Sequence, residues 1–87
     1  MKEKLYGSGF TREELLEMLN TGKKTKETDA ILEQLTDKEL LSEIARQAKD
    51  PYSRYLAIKK LSKKELKRLV EEESDSLMLF VIKQQLI

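Results

Sequence analysis

The sequence predicts an all-α protein of about six short helices, arranged as three stacked helical hairpins. Three observations predict it. A phrase of the form apolar–hydroxyl–x–x–Glu–Leu occurs three times, about 25 residues apart: "FTREELLEML" from Phe10, "LTDKELLSEI" from Leu35 and "LSKKELKRLV" from Leu61. Between these copies a second phrase recurs, as "AILEQL" from Ala30, "AIKKL" from Ala57 and "VIKQQL" from Val81. No segment alternates apolar and polar residues with period two over any length, so no sheet is expected.

Each copy of the first phrase reads as a helix start. Thr11, Thr36 and Ser62 are placed to accept a bond from a free backbone N–H of the first turn. Glu14, Glu39 and Glu65 stand three residues on, where a carboxylate reaches back to the cap's own N–H. Phe10, Leu35 and Leu61 precede the caps, and Leu15, Leu40 and Leu66 occupy the fourth helical position. Such a pair packs as a hydrophobic staple and fixes the angle of entry. These residues are structural, and none of the three glutamates is a catalytic candidate.

The elements follow in order. The first helix runs near 12–20 and stops at Asn20 and Gly22, which tolerate the left-handed conformation of a helix end. "NTGKKTKET", Asn20 to Thr28, is the one long connection, and the second helix follows near 27–34. The third and fourth lie near 37–48 and 51–60. Asp50 caps the fourth, and Pro51 suits its first position, where a missing N–H has no partner to lose. The fifth and sixth lie near 63–72 and 75–86, with Ser74 and Asp75 opening the last. The units are approximately 10–34, 35–60 and 61–87, in a single domain, and residues 1–9 are expected to be a flexible N-terminus. One hairpin cannot bury its own apolar face, so each unit serves as the wall of the next.

Bulk properties narrow the function. The chain has 87 residues, 38% of them charged, with a net charge of +1. That balance exerts no general pull on nucleic acid or membrane. Cysteine and histidine are both absent, which removes thiol chemistry, the commonest general base and the commonest metal ligand. No apolar run approaches the roughly 20 residues that span a bilayer. The opening "MKEKLYGSGF" has charges and no apolar signal-peptide core, so a cytoplasmic protein that does not engage membrane is expected.

The middle stretch, "LTDKELLSEIARQAKDPYSRYLAIKKL", resembles the HEAT-like repeats found in many bacterial proteins. Asp50, Pro51, Arg54, Ala57, Ile58 and Leu61 match the pattern of the repeat's second helix. The match covers Leu35 to Leu61, about a third of the chain, and is partial on either side. The first unit has Glu27 near the arginine position, and the third has Met78 or Leu79. The resemblance implies an α-solenoid fragment, or a compact helical bundle derived from one, with a binding surface rather than an activity. It also implies that Arg54 braces neighbouring units, through Asp50 or a backbone carbonyl.

The expected function is therefore a non-enzymatic protein–protein interaction module, engaging another protein or a second copy of itself. Tyr52 and Tyr55 are candidates, because tyrosine buries ring area while its hydroxyl stays wet. "LMLFVI", Leu77 to Ile82, is apolar on every face of a helix, more than a small core can cover. Leu77, Leu79, Phe80 and Ile87 are accordingly contact candidates. The alternative is a small nucleic-acid-associated protein using Lys59, Lys60, Lys63, Lys64, Lys67 and Arg68. Glu65 interrupts that run, acidic residues follow it at once, and no stacking platform accompanies it. No catalytic residue, metal ligand or cofactor is assigned.

Overall fold

Among the described residues six helices form where the recurring phrases place them: α1 (Arg12–Asn20), α2 (Lys26–Gln34), α3 (Lys38–Gln47), α4 (Pro51–Lys60), α5 (Lys63–Glu72) and α6 (Ser76–Leu86). The computed structural model describes residues 4–87. Among these the one β-type pairing is an isolated bridge between Tyr6 and Phe10.

The packing is layered. α1 packs on α3, while α2 and α6 both pack on α4; α3 packs on α4 and α5 on α6. α4 is thus the central element. α1 and α2 each lean chiefly on the middle pair rather than on one another, as the long connection between them allows.

The caps of α2, α4 and α6 are Thr25, Asp50 and Asp75, one every 25 residues. Counting from each cap gives the same burial. The third residue is buried in every case (Thr28, Ser53, Met78), and the seventh (Leu32, Ala57, Ile82) is fully buried. With 3.6 residues per turn these two positions lie on one face, and that face meets the core.

Two of the three expected capping boxes form. Thr11 Oγ1 accepts from the Glu14 N–H at 3.1 Å while Glu14 accepts from the Thr11 N–H at 2.9 Å. Ser62 and Glu65 do the same. The middle copy does not: Asp37, not Thr36, caps α3, so the helix starts one residue later than the phrase suggests. The Asp37 carboxylate accepts from both Glu39 and Leu40 N–H groups, at 3.0 and 3.2 Å. A full negative charge at a helix N-terminus gains from the helix dipole, which a hydroxyl does not. Arg12 of α1 also holds Asp37 at 3.6 Å and Glu43 at 3.3 Å. Asp37→Ala should therefore lower stability by about 1 kcal/mol in urea unfolding, and Thr36→Ala by much less. The reverse order would return the cap to Thr36.

Thr25 caps α2 with Thr28 in the glutamate's place: the Thr25 N–H donates to Thr28 Oγ1 at 2.8 Å. A threonine in that position escapes a search for glutamate, which is why α2 begins one residue earlier than expected.

Residues 4–9, expected to be a flexible lead-in, are anchored instead. Tyr6 is only 7% exposed and belongs to the core. Tyr6 and Phe10 exchange backbone bonds of 2.8 Å in both directions, and the Ser8 N–H donates to Glu27 of α2 at 2.7 Å. Gly7 has φ +60, and a Cβ there would lie 2.7 Å from Ile31 Cδ1, so glycine alone fits this close approach. Residues 1–3, also part of that expectation, lie outside the described residues.

Candidate interaction surface

The face of α4 opposite the core carries Tyr52, Tyr55 and Lys59, spaced i, i+3, i+7. Their rings stack with centroids 6.5 Å apart and planes 28° from parallel. Lys24 lies over Tyr52 at 4.7 Å and Lys59 over Tyr55 at 5.3 Å, so a cation sits at each end of the pair. Tyr52 is 44% exposed, and Tyr55 is half-buried.

Two carboxylates fix Lys24: Asp50 at 3.3 Å and Asp29 at 3.4 Å. Burial lowers the Lys24 pKa, but Asp50 and Asp29 together outweigh it and leave the value raised. Burial likewise pushes the Asp50 carboxyl up. The Ser53 N–H and O–H and the Lys24 ammonium overcome that and hold it below the ordinary value. A carboxylate with a depressed folded pKa stabilises fully above its unfolded value, about 3.9, and loses that contribution as the pH falls through the folded one. Asp50→Asn should therefore flatten the acid limb of a melting-temperature profile below about pH 4. An unchanged limb would show that Asp50 does not couple to folding.

On α6 the burial pattern sorts the all-round apolar run. Met78 and Ile82 enter the core, Leu79 and Val81 are half-buried, and Leu77 and Phe80 stand 59% and 61% exposed. Ile87, just past the helix, is also exposed. Leu77 and Phe80 occupy the positions of Tyr52 and Tyr55, counted from the caps. On α2 the same positions hold Glu27 and Ala30, and Glu27 is engaged by the N-terminal turn. The outer faces of α2, α4 and α6 thus grade from polar, through aromatic and cationic, to apolar. Leu79 leans inward, away from the other contact candidates.

Arg54 is turned inward. Its Nε donates to the Ala45 carbonyl at 2.8 Å, and its guanidinium pairs with Glu73, whose side chain is 6% exposed. The Ala45 carbonyl belongs to Arg54's own unit, so the tie to a neighbouring unit is made by Glu73, the C-cap of α5, while Asp50 serves Ser53 and Lys24 instead.

The basic run divides among three places. Lys60 Nζ donates to the carbonyls of Leu32 at 2.6 Å, Leu35 at 3.2 Å and Glu33, closing the C-terminal end of α2. Lys38 Nζ closes α4 in the same way, through the Lys60 carbonyl at 2.7 Å. Lys59 stays with Tyr55. Lys63, Lys64, Lys67 and Arg68 are exposed on α5. Sequence reasoning missed Lys24, Lys38 and Glu73. Their signal is weak, because each bonds to a residue more than ten positions away or outside its own helix.

No helix among the described residues is long and apolar enough to cross a membrane. Comparison with family models, characterised proteins and solved structures finds nothing that matches this chain.

Proposed function

We propose that this chain is a non-enzymatic protein–protein interaction module of HEAT-like helical repeats, with the outer faces of α4 and α6 as its docking surface. One observation carries the reading. Tyr52 on α4, Leu77 and Phe80 on α6, and Ile87 just past it are large apolar side chains left exposed, and α4 and α6 pack on one another. Soluble chains seldom leave a contiguous patch of that kind uncovered without a use for it. The regular caps at Thr25, Asp50 and Asp75 and the Asp50–Pro51–Arg54 pattern support the repeat reading. The partner is another protein or a second copy, met in the cytoplasm. A photocrosslinking residue at Tyr52 or Leu77 tests it in cells. The expected result is discrete protein adducts that survive nuclease treatment, with no such adducts from a probe at Glu13 on α1. Adducts formed only from probes on α5, and lost to nuclease, would move the function to nucleic acid.

A further inference from the structure

The charge carried by α4 and α6 themselves is one-sided. α4 and α6 contain no aspartate or glutamate, although the chain has 16. Asp50 and Asp75 are caps whose oxygens accept from their own helices, and Asp50 together with Asp29 also pairs with Lys24. With Lys24 matched by those two carboxylates, the remaining cations are Lys59, over Tyr55, and exposed Lys83 on α6. Neither Lys59 nor Lys83 makes an ion pair among the described residues. Beside them Leu77 and Phe80, at i and i+3, share one side of α6, and exposed Ile87 follows just past its end.

We propose that this face binds an amphipathic helix of a partner protein whose apolar stripe is flanked by carboxylates. The inference rests on the interaction reading above and adds the partner's chemistry. Apolar anchors at i, i+3 and i+7 of such a helix meet Leu77, Phe80 and the tyrosine rings. Its carboxylates meet Lys59 and Lys83 at the rim, where charge governs specificity and approach rate. A second copy of the chain suits the face less well. Set against itself about a two-fold axis, it brings together two cationic rims and no carboxylate of α4 or α6.

The test is fluorescence anisotropy with three synthetic peptides of roughly 18 residues, long enough to form helix. All share one Leu/Phe stripe, with flanking positions filled by Glu, Lys or Gln. The Glu peptide should bind about tenfold tighter than the Lys peptide, with the gap closing as salt rises. Phe80→Ser should weaken the Glu peptide about tenfold without lowering the melting temperature, since that ring is exposed. Lys59→Glu combined with Lys83→Glu should reverse the preference between peptides. Equal binding of all three peptides would overturn the acidic partner and leave the interaction face standing. Absence of binding, with sedimentation showing a dimer that Phe80→Ser dissolves, would overturn it in favour of a second copy. Absence of binding together with absence of protein crosslinks at Tyr52 and Leu77 would remove both readings.

Discussion

Arg54→Ala is expected to destabilise the protein by about 3 kcal/mol, the cost of leaving one member of a buried ion pair without its partner. The side chain ties three elements together: α4, which carries it, the end of α3 at the Ala45 carbonyl, and Glu73 at the end of α5. Burial lowers the guanidinium's pKa and nearby Asp75 opposes that shift, but arginine remains charged throughout the neutral range. The substitution strands the Glu73 carboxylate, whose side chain is almost wholly covered. Urea unfolding of Arg54→Ala, Glu73→Gln and a paired Arg54→Met/Glu73→Leu variant separates the effects. The two single changes should be costly and the paired one much milder, because both charges then leave together. Three equal losses would mean that the side chain acts by packing alone.

A second large loss is expected at the centre of the core. Leu41→Ala removes a fully buried side chain from α3, the helix that joins α1 to α4. Deleting a buried leucine typically costs about 3 kcal/mol, through lost transfer energy and the cavity left behind. In a domain stabilised by about 5–15 kcal/mol this is a substantial share. Leu77→Ala removes the same atoms from an exposed position on α6 and should change stability by less than about 0.5 kcal/mol. If the two variants unfold at similar urea concentrations, Leu77 is covered in solution and the proposed docking face is mistaken.

What could be read from the sequence was what local rules govern. Helix existence, order and most ends follow from caps and apolar spacing, which act within a few residues. The middle cap was misplaced because Thr36 and Asp37 are adjacent and both are good caps; only the tertiary contact with Arg12 and the helix dipole decide between them. The N-terminal turn was missed for a related reason. Its one large anchor, Tyr6, lies among glycines, and its burial depends on a surface of α2 that no local pattern announces. On α6 the run from Leu77 to Ile82 is apolar on every side, so helical periodicity alone does not separate its inner from its outer residues. Once α4 and α5 are in place, the side facing them takes Met78 and Ile82 and leaves Leu77 and Phe80 outside.

The two lysines that close helix ends have a consequence for how the molecule opens. Lys60 belongs to α4 yet holds the end of α2, and Lys38 belongs to α3 yet holds the end of α4. Neither α2 nor α4 can fray from its C-terminus without breaking a bond made by a distant segment. Amide hydrogen exchange should therefore protect the last turns of α2 and α4 to nearly the level of the core, and both should exchange in one cooperative event. α6 ends at Leu86 without such a donor among the described residues. Its final turn should exchange first, so local opening begins at residues 83–86 while the first two-thirds of the chain stays closed.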